Sequence, residues 1–290
     1  MRGTVYKQRL RLVLAGVLFA ACSREVPERK HIPRRIISLS PSITETIFAL
    51  GLGSRLIGVT SFCHYPPQAD SIEEIGGYTD ANLEKIVTLK PDLVVLQREH
   101  EKQRTFLKRY GIRTLTVDYG TITAVCSSFS VIGKACGAVR RADSLVTRFE
   151  SHLQVDTVQG QRPEVLICVG RDSPGGGTVQ NVYAAGAGTF YNDLILAAGG
   201  INAFTCSFPH YPKLSREGLI TCAPDIVIDV APAMGDYVCS TLVTDWESVA
   251  MIPAAENKRI YCIAADYATV PGPRLLQLLA ELKRIIGGGK

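Results

Sequence analysis

The sequence predicts an α/β protein with two lobes that are joined by one helix. Short β-type runs alternate with helical patterns from Arg35 to the end of the chain, which is typical of α/β layers. A twelve-residue motif occurs once in each half, and a long amphipathic helix is predicted between the halves. A length of 290 residues agrees with two domains of roughly 100–150 residues each.

Residues 1–21 are predicted to be an export signal. Four basic and no acidic residues precede an apolar core from Leu12 to Ala21, which is shorter than the ~20 residues that span a membrane. The signal ends in Leu18-Phe19-Ala20-Ala21-Cys22, which resembles the bacterial lipobox, so Cys22 is the predicted lipidation site. The alternative is an ordinary cleaved secretory peptide with an incidental Cys22.

Residues 22–34 are polar and are predicted to form a tether, so that the lipid anchors the protein to the membrane without spanning it. Removal of the signal leaves 28 basic against 27 acidic residues. This nearly neutral balance gives no indication of a nucleic-acid partner.

The N-terminal lobe is predicted to cover residues 35–137. Apolar runs predict its strands, and helical spacing of apolar residues predicts helices between them. The predicted strands are Ile36–Leu39, Leu56–Thr60, Leu93–Leu96 and Thr114–Val117, and the predicted helices are Thr44–Leu50, Asn82–Thr88 and Glu101–Arg109.

Residues 138–158 are predicted to form the interdomain helix. Its apolar positions recur at helical spacing from Val139 to Val155, with charged residues between them. The C-terminal lobe is then predicted to cover residues 159–290. Its predicted elements are strands at Val165–Val169, Ile226–Asp229 and Arg259–Ile263 and a last helix at Arg274–Ile286.

The repeated motif predicts that the two lobes share one architecture. Residues 84–95 (EKIVTLKPDLVV) and 217–228 (EGLITCAPDIVI) have Glu, Thr, Pro and Asp at the same offsets, and their apolar positions match in kind. Each copy is predicted to be a helix, a Pro-Asp turn and a strand. Two similar lobes enclose a cleft, and clefts between domains are where small ligands bind.

Eight cysteines follow Cys22, and none of them forms a CxxC pair, so zinc-finger spacing is absent. Cys168 and Cys262 fall within apolar strand patterns, which favours buried free thiols. Cys206 and Cys239 fall in loop-like stretches and are candidates for a disulfide in an oxidising compartment.

A set of motifs in a fixed order resembles the periplasmic cobalamin-, haem- and ferric-siderophore-binding proteins of ABC importers, and most of all the cobalamin-binding members. The resemblance extends from about Arg35 to Ile286. The motifs begin at Ile36 (IISLSPSITE), Gly58 (GVT), Tyr65 (YPP), Gly76 (GGYTDANLE), Lys90 (KPDLV), Ala198 (AGGIN), Leu214 (LSRE) and Pro271 (PGPR).

This resemblance implies a fold of two Rossmann-like lobes, each with a mainly parallel sheet, that are joined by a single rigid α-helix. It also implies that a glutamate on each lobe docks onto a permease dimer that works with an ATPase. The matching residues are Glu84 and Glu217, the first residues of the two repeat copies. For either residue alone, a solvated glutamate at a helix start is the simpler interpretation.

The resemblance also places ligand-binding residues in the cleft. Ser40 and Pro41 follow the first strand, where a strand-to-helix turn offers backbone N–H groups. The aromatic and acidic residues that match pocket positions of the family are Tyr65, Tyr78, Tyr211, Asp266 and Tyr267. Tyrosine replaces tryptophan at several of these positions, which keeps flat aromatic surface but reduces it.

A His-Tyr pair in each half of the sequence indicates a different ligand. His64-Tyr65 and His210-Tyr211 are expected to face one cleft, and imidazole and phenolate are both axial ligands of haem iron. A histidine that only lines the cleft is the simpler alternative. The candidate ligands are therefore cobalamin or a related corrinoid, haem and a ferric siderophore. Any metal is expected to arrive with the ligand, no cofactor is expected, and the protein is expected to be a monomer.

An enzyme is not expected. Gly51-Leu-Gly53 lacks the third glycine of a dinucleotide motif, residues 175–177 form a glycine run with no phosphate-loop lysine, and GxSxG and HExxH are absent. A chelatase would share the two-lobed plan, but the export signal argues against cytoplasmic biosynthesis. A lipid-anchored protein that has lost its ligand remains the third class, against which the repeated glutamates argue.

Overall fold

The computed structural model describes residues 32–154, 161–231 and 236–288. The predicted signal, Cys22, most of the predicted tether and residues 155–158 of the predicted interdomain helix lie outside the described residues. The chain from Pro33 onward groups into one unit, within which two sheets form the centres of two lobes.

The first sheet is wholly parallel and has the strand order β2-β1-β3-β4. Its two central strands, Ile36–Ser38 and Leu93–Gln97, are buried along their whole length, as the interior of a parallel sheet requires. The strands are β1 Ile36–Ser38, β2 Leu56–Gly58, β3 Leu93–Gln97 and β4 Thr114–Val117. The helices are α1 Pro41–Ala49, α2 Leu83–Thr88, α3 Glu101–Arg109 and α4 Ile122–Cys136, with 3₁₀ turns at Gly53–Arg55, Pro67–Ser71 and Arg98–His100.

The predicted interdomain helix is α5 (Val139–His152), and it packs along α4. The helices approach closely because Gly133 of α4 has no side chain; a Cβ there would lie 2.5 Å from the Cβ of Ala142. Phe129 and Phe149 meet edge to face at 5.2 Å between ring centroids. The link between the lobes is therefore held against the first lobe.

The end of this helix was predicted too far along the chain. The helix ends at His152, and the N–H of Leu153 bonds to the carbonyl of Phe149. The sequence that follows, Val155-Asp-Thr-Val158, is rich in β-branched residues, which are poor helix formers.

The second sheet is mixed, with the order β10-β9-β5-β6-β8, and β7 pairs with β5. Strand β6 is antiparallel to both of its neighbours, and the other pairings are parallel. The strands are β5 Glu164–Arg171, β6 Asn181–Ala184, β7 Ile201–Asn202, β8 Lys213–Ser215, β9 Ile226–Ala231 and β10 Ile260–Ala264. The helices are α6 Phe190–Ala197, α7 Arg216–Cys222, α8 Asp236–Asp245, α9 Pro253–Glu256, α10 Asp266–Thr269 and α11 Leu275–Ile286, with a 3₁₀ turn at Trp246–Val249.

The repeated threonines have the same role in both lobes. Each lies in the last turn of its helix and donates its hydroxyl to the carbonyl of the glutamate four residues earlier. Thr88 bonds to Glu84 at 3.0 Å, and Thr221 bonds to Glu217 at 2.9 Å. The two copies of the motif therefore form the same helix, as predicted.

The repeated aspartates also have a shared role. Asp92 accepts hydrogen bonds from the backbone N–H groups of Arg34 and Arg35, just before β1. Asp225 accepts one from the N–H of Glu164, the first residue of β5. In each lobe the motif fixes the start of the neighbouring strand, which explains why Thr and Asp recur while the glutamate side chains stay exposed.

The predictions for two cysteines were wrong. Cys239 of α8 forms a disulfide with Cys262 of β10, whereas Cys206 is exposed and free. Strand β10 is at the end of the sheet order, where α8 packs beside it, so Cys262 is only partly buried despite its apolar sequence. Cys168, by contrast, is buried and free as predicted.

Among the helices of the described residues, none combines the length and apolarity needed to cross a bilayer.

Candidate functional site

A pocket of about 470 Å³, here called the cleft pocket, lies beside the first sheet. Its first wall consists of Ser40–Ser42 after β1, Gln97–Glu99 at the end of β3 and Asp118–Gly120 after β4. These segments leave the carboxyl ends of parallel strands. The chain runs from β1 to β2 on one side and reaches β3 on the other, and such switch points are where α/β sheets bind ligands.

The other wall of the cleft pocket comes from the second lobe. It consists of Phe190 at the start of α6, the pair His210-Tyr211 before β8, and Thr269–Pro271 after α10. Of the residues predicted from the sequence, the pocket brings together Ser40, Pro41, Tyr78, His210 and Tyr211.

Local sequence explains the turn at Ser40 and Pro41. Ser40 caps α1 by accepting a hydrogen bond from the N–H of Ile43, and Pro41 occupies the first helical position, where its missing N–H has no cost. The Ser38 hydroxyl donates to the Ser40 carbonyl at 2.9 Å. The start of α1 is thus held rigidly at the pocket wall.

Tyr78 is positioned by two polar groups of the first lobe. Its hydroxyl donates to Oε1 of Gln97 at 2.5 Å, and its carbonyl lies 2.8 Å from Nε2 of His100. Desolvation by burial raises the pKa of Tyr78 to about 12. The phenol is therefore protonated at neutral pH and is engaged as a donor.

His210 lies against a glycine-rich loop. The N–H of Gly186 donates to the His210 carbonyl, and that of Ala187 donates to the Cys206 carbonyl, both at 2.9 Å. A Cβ on Gly188 would lie 2.6 Å from Nδ1 of His210, so the imidazole packs directly against this glycine. The adjacent Tyr211 meets the Tyr191 ring edge to face, and desolvation by burial raises the pKa of Tyr211 to about 12.

The charged groups that line the cleft pocket are Arg98, Glu99 and Asp118. Arg98 and Asp118 pair at 3.3 Å between Nε and Oδ2. The lining therefore has one positive and two negative side chains, so the pocket is not basic.

His64 and Tyr65 lie elsewhere. The exposed His64 ring places Nδ1 3.1 Å from Oδ1 of Asp70 in the 3₁₀ turn Pro67–Ser71, and Tyr65 lies over the guanidinium of Arg274 at 3.9 Å. Neither residue lines the cleft pocket. The first His-Tyr pair thus contacts Asp70 and Arg274 and lies outside the cleft pocket. A role of His64 or Tyr65 in binding stays a prediction.

Arg274 joins the two lobes, and we call Arg274, Glu45, Asp266 and Tyr65 the Arg274 cluster. The guanidinium donates to both carboxylate oxygens of Glu45 in α1, with Nε to Oε2 at 2.9 Å and an Nη to Oε1 at 2.5 Å. It also donates twice to Asp266, at 2.8 Å each. Hydrogen bonding to Arg274 lowers the pKa of Asp266.

Asp266 and Tyr267 are therefore engaged within the protein. Asp266 pairs with Arg274, and the Tyr267 hydroxyl donates to Oε2 of Glu281 at 2.9 Å. The cleft pocket is lined instead by Thr269–Pro271, a few residues further along. Direct ligand contact by Asp266 or Tyr267 stays a prediction.

Sequence reasoning missed several pocket residues. Gln97–Glu99 and Asp118 follow correctly predicted parallel strands, so the rule that ligands bind at the carboxyl ends of strands would have found them. Phe190 and Thr269 had no such signal, because they depend on how the second lobe packs.

A second pocket, of about 730 Å³, is lined by residues that include Glu45, Tyr65, Arg148 and Arg274. It is larger than the cleft pocket, but its buried charges Glu45 and Arg274 already satisfy each other. The cleft pocket is the better candidate because it lies at a strand switch point and contains most of the predicted site residues.

Glu84 and Glu217 occupy the same position in the two lobes. Each is exposed and second in its helix, α2 or α7, behind a side-chain cap from Asn82 or Ser215. Hydrogen bonds from its own N–H and from Ser215 lower the pKa of Glu217. The structure therefore presents two matched exposed carboxylates.

Comparison with known proteins identifies relatives over nearly the whole chain. The model of the periplasmic binding protein family matches residues 36–267. The chain is 31% identical to the uncharacterized ABC transporter substrate-binding lipoprotein YvrC of Bacillus subtilis, over 92% of this chain and 83% of that protein. It is 29% identical to the vitamin B12-binding protein of Pectobacterium carotovorum, over 89% and 91%. The periplasmic heme-binding protein RhuT of Roseiflexus, in apo form, superposes with a TM-score of 0.72 at 26% identity, over 88% and 98%.

Proposed function

Because the chain belongs to the periplasmic binding protein family, we propose that it captures cobalamin or a related corrinoid in the cleft pocket and delivers it to an ABC permease. Members of this family that resemble the chain are substrate-binding transport proteins and not enzymes. Function within an ABC importer of the cobalamin, haem and iron–siderophore type therefore follows from membership, and the choice of corrinoid is our proposal.

The charge of the cleft pocket is the observation that favours a corrinoid over haem and a ferric siderophore. With Glu99 and Asp118 against Arg98 alone, the lining has an excess negative charge, which disfavours an anionic ligand. Haem has two carboxylates, and catecholate siderophore complexes are strongly anionic. A corrinoid has neutral amides around its ring, and these can hydrogen bond to Ser40, Gln97 and neighbouring backbone groups.

The shape of the lining agrees with a flat ligand. Tyr78, Phe190 and Tyr211 give the pocket aromatic surface from both lobes. Such side chains bury large apolar area and stack on planar rings. A macrocycle that lies between the lobes would contact both walls.

Haem is the second candidate, and His210 is the observation that favours it. An imidazole in the pocket is a suitable axial ligand for iron. The acidic lining argues against haem, and so do the raised pKa values of Tyr78 and Tyr211, which disfavour a tyrosinate ligand.

Docking on the permease is proposed to use Glu84 and Glu217. Two exposed carboxylates at matched positions can set the register on a two-fold partner while adding little affinity. The partner is proposed to be a permease dimer with its ATPase, which would present basic residues to each glutamate.

Anchoring is proposed to use a lipid on Cys22, with export directed by residues 1–21. The lipoprotein relative supports this proposal. A lipid anchor would keep the protein close to its permease on the outer side of the membrane.

The test is a titration of the purified protein with cyanocobalamin, haemin and a ferric siderophore, followed by fluorescence and absorbance. We expect tight binding of cyanocobalamin and weak binding of the two others. Tight binding of haemin alone would replace the corrinoid with haem, and binding of none of the three would refute a metal-chelate ligand.

A further inference from the structure

The imidazole of His210 has no hydrogen-bonding or ion-pairing partner in the part of the chain that the structure describes. The other histidines there are all engaged: His64 with Asp70, His100 with Gln97 and Tyr78, and His152 with the Arg148 carbonyl. His210 has only a ring contact with Phe208. The unpartnered imidazole is thus the one in the cleft pocket.

The packing of the ring indicates which nitrogen is free. Nδ1 and Cε1 are the ring atoms next to Gly188. The backbone around the histidine is held by hydrogen bonds from the N–H groups of Gly186 to the His210 carbonyl, of Ala187 to the Cys206 carbonyl and of Ala184 to the Pro212 carbonyl. Nε2 is therefore the nitrogen that we assign to a ligand, and it is attached to a fixed backbone.

The surroundings of His210 exclude a bare metal ion as the ligand. No group of three or more His, Cys, Asp or Glu side chains with metal-binding geometry occurs within residues 32–154, 161–231 and 236–288. A single imidazole cannot hold a free ion, which needs about four to six protein or water ligands. It can bind a metal whose equatorial positions are already filled by a chelator.

The pocket tyrosines do not compete for this role. Tyr78 donates its hydroxyl to Gln97, and the phenols of Tyr78 and Tyr211 have pKa values near 12 because of burial. An imidazole binds a metal through the lone pair of one ring nitrogen, whereas a phenol must first lose its proton.

We propose that His210 Nε2 is an axial ligand to the cobalt of a bound corrinoid, so that the protein selects cob(III)alamin with an exchangeable axial water. This proposal rests on the proposed function. In the exchange, the Nε2 lone pair forms the bond to cobalt and the coordinated water leaves; the imidazole keeps the proton on Nδ1, and cobalt stays Co(III). A corrinoid whose axial position is blocked by cyanide binds without this bond.

The acidic residues that line the cleft pocket also favour the aquo form of cob(III)alamin. The aquo complex of cob(III)alamin is a cation, whereas the cyano complex is neutral. Glu99 and Asp118 face the pocket together with His210, so the cation gains attraction as well as the metal bond.

The experiment compares aquocobalamin with cyanocobalamin on the purified protein. We expect the absorbance bands of aquocobalamin to shift on binding, as water is replaced by nitrogen, and those of cyanocobalamin to stay in place. We also expect affinity for aquocobalamin to exceed that for cyanocobalamin by about tenfold or more.

The variant His210→Ala tests the residue, and His152→Ala is the control because His152 is exposed at the end of α5 and does not line the cleft pocket. We expect H210A to lose the spectral shift and the preference for aquocobalamin over cyanocobalamin, and H152A to keep both. Equal binding of both corrinoids by the wild-type protein without a shift would overturn the axial bond and leave the proposed function intact. Failure to bind either corrinoid would refute the proposed function itself.

If H210A does not fold, the absorbance spectra of the wild-type protein with aquocobalamin and with cyanocobalamin still test the axial bond, because this comparison needs no variant. A shift that persists in a folded H210A would assign the bond to another group and overturn the proposal. A shift with haemin alone would reject the corrinoid.

Discussion

Replacing Arg274 with methionine is expected to lower the free energy of unfolding by about 3–5 kcal/mol. The side chains of Glu45 and Arg274 are 3% and 9% exposed, so the change leaves the Glu45 carboxylate buried without its counter-charge. Asp266 is 52% exposed and can be solvated when Arg274 is removed. The expected loss therefore comes from Glu45.

The double variant of Glu45 and Arg274 gives the opposite expectation. Replacing both Glu45 and Arg274 with methionine removes the buried charge together with its partner, and such changes are often neutral or stabilising. The variant Asp266→Asn should cost only about 0–1 kcal/mol, since its side chain faces solvent. Urea denaturation of the four proteins gives each value from the transition midpoint.

Two results would contradict the expected role of Glu45. If the Arg274 variant were as stable as the wild type, or if the double variant were as unstable as the single one, Glu45 would not be the source of the loss. Ligand affinity provides an independent measurement: α1 starts at the pocket wall and Thr269–Pro271 lie just before Arg274, so the single variant should also bind cyanocobalamin more weakly.

Three further results are expected. Reversing the charge of both Glu84 and Glu217 to lysine should abolish uptake in cells and leave ligand affinity unchanged; lost affinity would contradict docking. Replacing Cys239 and Cys262 with serine should lower the unfolding free energy by about 3 kcal/mol, because the disulfide no longer restricts the unfolded chain, and reduced wild-type protein should show the same loss in urea. Arg274 lowers the pKa of Asp266 in the folded state, so this contribution to stability is present above the unfolded pKa and is lost as pH falls through the folded one. The pH dependence of the urea midpoint at acidic pH should therefore be weaker in Asp266→Asn, and an unchanged dependence would contradict the ion pair.

Strands β1, β3, β5 and β9 were predictable from sequence because they are largely buried and form continuous apolar runs. Thr114–Val117 and Glu101–Arg109 have the predicted bounds. The repeat predicted a shared helix and turn, and Thr88 with Thr221 gives the physical reason.

Other elements depend on contacts that one sequence does not contain. Helix α4 is rich in small and β-branched residues, so its local signal is weak, and its packing on α5 at Gly133 stabilises it. Strands β6 and β8 are only three or four residues long. Their pairing is antiparallel and depends on the tertiary structure.

The candidate site was partly predictable for the same reason. Ser40 follows the first strand, which the sequence pattern indicates, whereas Tyr78 was predicted from the family resemblance. Asp266 is engaged by Arg274, and Arg274 in turn bonds to Glu45, 229 residues earlier in the chain. No local pattern reveals a bond of that separation, and therefore the roles assigned to Tyr65 and Asp266 by resemblance differ from their observed contacts.

The matched positions of Glu84 and Glu217 have a consequence for how the protein would meet a symmetric partner. On the proposed permease dimer, the protein could dock in either of two orientations that differ by half a turn, and each would place one carboxylate on each subunit. Two productive orientations double the fraction of successful encounters, which is worth about 0.4 kcal/mol of association free energy. Any preference between them would come from unlike neighbours, such as Lys85 beside one glutamate and Arg216 beside the other.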